Sequence, residues 1–225
     1  MTGAQFWDRL ADKYAAQPVK DVAAFDQKKA ITRQHLHPRA TVVEFGCGTG
    51  SLALALSSHV GQIHAIDVSA EMIRIAERKK ADRGVTNVTF HVGTLEAMQS
   101  RIPRHVDAVW AYSILHLVDD RTSTLGTAFE LLKPGGVLVS SNVCLAGTWV
   151  PYRTLITIMR WLGKAPRVYC YDRKTIMREI AGAGFVDVVE HDVGADGHVA
   201  FLVARKPVSD RGAREDPSAS SESTG

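Results

Sequence analysis

Cysteine is scarce in this 225-residue chain: Cys47, Cys144 and Cys170 lie far apart, with no CxxC pair and no histidine at a zinc-like spacing. That argues against a disulfide framework and a structural metal, and the expected compartment is reducing and cytoplasmic. No run of 18 or more apolar residues is present, so no membrane-spanning helix is expected. The opening MTGAQFWDRLADKY lacks the basic start and apolar core of a signal peptide. Residues 207–225 contain no aromatic residue and one valine among Ser, Gly and Pro, too little apolar surface to offset ordering, so a disordered tail is expected. Charge of one sign is lacking too: 27 Lys and Arg stand against 24 Asp and Glu, and +3 does not by itself imply nucleic acid. At 45% hydrophobic and 23% charged, the composition excludes collagen-like, low-complexity and wholly disordered classes. At roughly 100–200 residues per domain, residues 1–206 make one domain.

What the chain does have is alternation. Short β-branched runs at 41–45, 62–67, 88–92, 106–112 and 136–143 are separated by helical patterns, the mark of βαβ units and a parallel sheet. Two more strands follow, at 185–192 and 198–206. Ser69, an early Glu71, a late basic run and Gly84 mark one helix from cap to stop. Another spans 121–132 and is stopped by Lys133-Pro134-Gly135-Gly136; a third spans 173–181. The first 40 residues read as helical, with Phe6, Trp7, Leu10 and Tyr14 on one face. Only five residues, 193–197, join the last two strands. A parallel crossover needs about a dozen, so these two form an antiparallel hairpin.

Residues 42–50 read VVEFGCGTG: an apolar strand, Glu44, then Gly46, Gly48 and Gly50 at the start of a helix. Glycines here permit a tight turn and close approach of a ligand to the backbone. A ligand-free glycine turn is the plain alternative, and the next strand weighs against it. That strand, QIHAID, ends in Asp67, placed to take both hydroxyls of a ribose, while Ser69 already caps the following helix. The glycines run GxGxG rather than the dinucleotide GxGxxG, and 225 residues leave no room for a dehydrogenase's catalytic domain.

At these residues the chain resembles the class I S-adenosylmethionine (SAM) dependent methyltransferases, whose first motif is E/D-x-G-x-G-x-G. HAIDVS, FHVGTLEAM, VDAVWAYSILHLVDD and ELLKPGGVLVSS follow in the family's order, so the resemblance covers about 6–206 and looks nearest the ubiquinone/menaquinone-biosynthesis type. It implies an α/β, three-layer, Rossmann-like sheet in the order 3-2-1-4-5-7-6 with strand 7 antiparallel. It implies SAM as cofactor, with Gly46, Cys47, Gly48, Thr49 and Gly50 around the methionine part, Asp67 on the ribose, and Glu44 among the cofactor-binding residues. Val68 and Met72 then flank the adenine, Thr94 and Leu95 meet its edge, Ser113 borders the site, and Tyr14 closes over it. Thr94 departs from the family's frequent Asp; its hydroxyl, or Glu96, is expected to take that place. A helix-packing aromatic is the equal alternative for Tyr14, and a small packing residue is the simplest reading of Cys47.

The acceptor is expected over the carboxyl ends of strands 4 and 5, beyond Trp110, Tyr112, Ser113 and Asn142. No Asn-Pro-Pro-Tyr-like motif follows Ser113, which argues against nucleic-acid bases as acceptors. Residues 145–170 form a long, basic and aromatic insertion, with Leu155, Ile158, Met159 and Leu162 on one helical face and Arg153, Thr157, Arg160 and Lys164 on the other. Three readings stand: a surface helix on the core, a cap over an apolar acceptor pocket, or a peripheral contact with an anionic membrane. His116 and His198 are the candidate catalytic bases, with His191 beside the hairpin as a further histidine. The expectation is methyl transfer from SAM to a small, largely apolar acceptor. The alternatives are a lipid or protein methyltransferase docking through the cap, or a SAM-binding regulator without turnover.

Overall fold

Two helices precede the sheet in the computed structural model, which describes residues 2–17, 19–146, 165–195 and 197–208. Helix α1 (Gly3–Ala15) starts in a capping box: the Thr2 side chain accepts from Gln5 N, and the Gln5 side chain accepts from Thr2 N. Helix α2 (Val22–Arg33) is capped by Asp21. Seven strands follow: β1 (Thr41–Phe45), β2 (Gln62–Asp67), β3 (Val88–Val92), β4 (Val106–Tyr112), β5 (Leu132–Val143), β6 (Val186–His191) and β7 (Val199–Arg205). Between them lie α3 (Ser51–Leu56), α4 (Ala70–Asp82), the single turn α5 (Leu95–Met98), α6 (Arg121–Leu131) and α7 (Arg173–Gly182). The sheet order is β3-β2-β1-β4-β5-β7-β6, with β7 antiparallel to both neighbours and the pairs from β3 to β5 parallel. The hairpin inferred from loop length is the β6–β7 pair.

Alternation along the central strands fills two layers. Val43, Phe45, Val109 and Ala111 face Leu125, Leu131, Ile176 and Ile180 of α6 and α7. Val42, Ala108 and Trp110 face Leu52, Leu54 and Ile73 on the opposite side. A smaller cluster, Ala11, Met72 and Ile75 with Trp7 and Ala15 against it, fixes α1 to α4. Strand order reverses between β1 and β4, so the parallel strands end around a crevice at their carboxyl edge, the usual ligand position in an open α/β sheet.

The sequence reading placed the start of β5 four residues late, while its bounds for β6, β7, α6 and α7 differ by one residue. Pro134 and the glycines after it look like a break, yet β5 already begins at Leu132. The β4–β5 pairing shifts register between Val106 and Ala108, and such an irregularity accommodates a residue that cannot donate to the ladder. The amphipathic face assigned within residues 145–170 lies outside the described residues, as does nearly all of the expected tail.

Candidate functional site

A cavity of about 530 Å³ opens at this edge, within the range of small-molecule and cofactor sites. Its floor is the turn after β1 and the ends of β2 and β4; its roof is α1, which contributes Gly3, Ala4, Trp7 and Tyr14. Asp67 is among its lining residues. Its Oδ2 accepts Gly48 N at 2.8 Å and its Oδ1 accepts Ser69 N at 2.9 Å. The Val68 amide also bonds this carboxylate, which offers about four acceptor positions and so keeps capacity for a ligand hydroxyl. Burial raises the Asp67 pKa, and the bonds from Ser69 and Gly48 oppose that rise.

Of the thirteen residues expected to contact the cofactor, nine line this cavity: Tyr14, Gly46, Gly48, Asp67, Val68, Met72, Thr94, Leu95 and Ser113. Glu44, Cys47, Thr49 and Gly50 are not among the lining residues. A Cβ on Gly48 would meet only the Tyr14 ring, at 3.8 Å, so the missing side chain leaves room over the turn. Gly50 instead lies against the Phe90 ring and holds the left-handed position that starts α3. Thr49 is buried, its hydroxyl accepting from Lys79 Nζ at 2.8 Å. Tyr14 stays 51% exposed, yet burial of its phenol, then the Asp67 and Glu44 carboxylates, raises its pKa. Thr94 caps α5, accepting from Ala97 N at 3.2 Å, and Glu96 receives the Thr124 hydroxyl through Oε1.

Neither candidate base lines the cavity. His116 sits next to the lining residue Leu117; its Nδ1 is buried with no hydrogen-bond partner among the described residues, and burial pulls its pKa down to about 4. His198 lies beside the β6–β7 hairpin, where its carbonyl accepts from Cys144 N at 2.7 Å. His191 pairs with Phe201 in the β6–β7 ladder. Trp110 and Asn142 are fully buried, whereas Tyr112 lines the cavity and turns its hydroxyl away to Thr32 Oγ1 at 2.5 Å.

A second cavity of about 580 Å³ adjoins the first, sharing Gly3, Trp7, Leu117 and Asp119 and adding Phe6, Pro166 and Arg167. Its wall is held by a polar cluster. Tyr169 N donates to His116 O at 2.8 Å, and Tyr169 Oη donates to Asp119 Oδ1 at 2.7 Å. Arg121 lies 4.8 Å from the Tyr171 ring centre and makes two bonds to Glu179, at 2.6 and 2.7 Å. Sequence reasoning missed Trp7 as a wall and Arg121, Tyr169 and Tyr171 as an anchor, because their partners are remote in the chain. Among the described residues, no group of three or more His, Cys, Asp or Glu is placed to hold a metal, and no helix is long and apolar enough to cross a membrane.

The family model of the methyltransferase domain matches residues 36–174, more than half the chain and the whole of the floor just described. The chain belongs to that family. Its sheet order and glycine turn are those of the class I, SAM-dependent methyltransferases. A ubiquinone biosynthesis O-methyltransferase of Xanthomonas campestris pv. campestris (strain B100) is 32% identical over 153 residues, covering 63% of this chain and 64% of the relative. The methyltransferase chain thus spans about 64% of the length of that curated relative. Among solved structures, a SAM dependent methyltransferase from Aquifex aeolicus superposes with a TM-score of 0.66 at 20% identity, covering 92% of this chain and 100% of that one. The [4+2]-cyclase SpnF matches equally well, with a TM-score of 0.66 at 21% identity and coverage of 86% and 85%. A fold shared with a cyclase does not by itself assign the reaction.

Glu44 lies beneath the turn of this methyltransferase domain, 2% exposed, and its Oε2 has no hydrogen-bond partner among the described residues. Burial pushes its pKa from 4.5 to about 8, against a backbone bond from Ala53. Glu44 does not line the cavity, so it acts on a ligand there only through the turn above it. The raised value also sets a pH dependence. The folded state holds a proton that the unfolded chain releases, so in ligand-free protein this group's contribution falls as pH rises from about 4.5 to about 8. Urea unfolding of Glu44→Gln and wild type should therefore converge at acidic pH, with the variant gaining on wild type towards mildly alkaline pH. A difference that does not change with pH would show that Glu44 is ionised in the fold.

Proposed function

We propose that this chain transfers the methyl group of SAM to a hydroxyl oxygen of a small, largely apolar acceptor, releasing S-adenosylhomocysteine (SAH). The observation that carries the reading is Asp67: held by backbone amides, lining the cavity, and keeping acceptor capacity for a ligand hydroxyl. When bound, the cofactor supplies a methyl group on a cationic sulfur with a neutral thioether as leaving group. The chain's part is to hold and align. Asp67 accepts the ribose hydroxyls, Val68, Met72 and Leu95 give apolar contact to the base, and Thr94 and Glu96 offer polar atoms at its edge. Gly48 lets the ligand lie against the backbone, and Tyr14 covers it. Holding the reacting atoms ~3 Å apart and in line accounts for ~7–11 kcal/mol of the barrier.

The adjoining cavity supports the acceptor class. Phe6, Trp7, Leu117 and Pro166 give it an apolar wall, with Asp119 and Arg167 as its polar edge. The hydroxyl is chosen because the Xanthomonas campestris relative is an O-methyltransferase by name. His116 lines neither cavity and its Nδ1 is buried, so His116→Ala should lower kcat by less than the roughly hundredfold or more that a positioned base contributes. A larger loss at unchanged SAH affinity would place His116 in the reaction. The reaction itself is tested by incubating the protein with methyl-labelled SAM and a panel of phenols, aliphatic alcohols, amines and lipids. Label in amines or lipids alone would overturn the hydroxyl reading.

A further inference from the structure

Hydrogen bonds tie the roof of the cavity to its floor. On α1, Asp8 Oδ1 accepts the Ser69 hydroxyl at 2.6 Å and Glu71 N at 3.2 Å. Ser69 Oγ accepts Met72 N at 3.1 Å as the cap of α4, and Ser69 N donates to Asp67 Oδ1 at 2.9 Å. Asp67 Oδ2 then takes Gly48 N at 2.8 Å. One continuous series, Asp8 to Ser69 to Asp67 to Gly48, runs from the helix above the cavity to the turn below it.

We propose that Asp8 is a positioning residue that latches α1 over the cofactor cavity and couples the docking of that helix to the setting of Asp67. The inference rests on the cofactor reading above and adds to it a part that the glycine turn and Asp67 do not supply. A carboxylate is the right group for the place. The first amides of α4 have no partner within the helix, and the helix dipole favours negative charge there. Glu71 N is one of those amides, and α1 satisfies it from outside. The apolar contact beside the latch is small: Ala11, with Trp7 and Ala15 partly buried, against Met72 and Ile75. Such a contact chooses which face of α1 turns down, while the bonds from Asp8 fix where the helix sits along α4. That position brings Gly3, Ala4, Trp7 and Tyr14 to the cavity.

Coupling of this kind is reciprocal. A ligand that engages Asp67 and Tyr14 strengthens the docking of α1, and loss of the latch weakens the ligand by the same factor. Arg9 and Lys13 are exposed on α1, so trypsin reports its opening directly. In the wild-type chain SAH should slow cleavage after both residues. Asp8→Ala should cleave faster without ligand, bind SAH about tenfold more weakly, and lose most of the protection that SAH gives. Asp8→Asn keeps an acceptor oxygen towards Ser69 and should fall between the two, which holds the test open if Asp8→Ala folds poorly. A merely structural role would lower the melting temperature of both variants and leave the SAH-dependent part of the protection intact, and that result overturns the latch. Equal SAH affinity and equal cleavage in a folded Asp8→Ala overturn it as well. Failure of the cofactor reading looks different: the wild-type chain itself then takes up no SAH in calorimetry, and the coupling falls with it.

Discussion

Gly48→Leu is expected to abolish calorimetric SAH binding in a protein that still folds, whereas Gly50→Val should lower the melting temperature by about 10 °C. The two glycines are two residues apart and both have positive φ, +53° and +72°. A side chain in that conformation costs roughly 1–2 kcal/mol, a modest share of the ~5–15 kcal/mol that holds a domain folded. What differs is the space around them. A Cβ on Gly48 meets nothing nearer than the Tyr14 ring, at 3.8 Å, so the leucine side chain fills the ligand's volume and displaces no core atom. A Cβ on Gly50 would lie 2.7 Å from Phe90 Cζ and 3.1 Å from Ala76 Cβ, so β3 and α4 must give way. Overpacking of that kind costs ~1–3 kcal/mol beyond the backbone strain. Melting curves beside SAH titrations separate the two. If Gly48→Leu melts as low as Gly50→Val, or binds SAH like wild type, the turn is not the cradle described here.

The sheet was readable because its signals are local. The strands from β1 to β4 have the bounds read from the sequence, and the connection before β7, seven residues in the structure, is still too short for anything but a hairpin. Asp67 was readable for the same reason: it closes a strand, and Ser69 behind it carries the capping signal. Contacts between distant segments were not. Asp8 meets Ser69 across 61 positions, and Arg121 meets Glu179 across 58. Nothing in the periodicity of α1 marks Asp8 as different from the exposed Asp12 on the same helix. Pro134 misled for the opposite reason. Its local signal is strong, but the shifted register of β4 and β5 absorbs it. The histidines show how far residue type alone carries: His116 and His198 are plausible bases by chemistry, and only the fold shows that neither borders the cavity.

Asp67→Ala should weaken SAM and SAH together by at least tenfold, and it should also destabilise the protein. Loss of a ribose contact alone would leave the fold intact. The structure adds two backbone donors, Gly48 N and Ser69 N, that lose their acceptor with it. Each hydrogen bond to a charged group is worth ~1.5–3 kcal/mol, and a buried donor left unpaired costs ~1–3 kcal/mol. Lost affinity could then arise from a collapsed turn instead of a lost ribose contact, and a ligand lacking one hydroxyl separates the causes. If Asp67 holds the diol, 2′-deoxy SAH binds wild type more weakly than SAH does, while Asp67→Ala barely distinguishes the two. The interaction energy of that cycle should exceed ~0.5 kcal/mol, the threshold at which neighbouring groups cease to be additive. Asp67→Asn sharpens the result, since its amide offers one acceptor oxygen where the carboxylate offers two. It should keep one of the two backbone bonds, recover part of the stability, and bind SAH more weakly than wild type. Additive losses in the cycle would place the ribose elsewhere and leave Asp67 as a brace for the glycine turn.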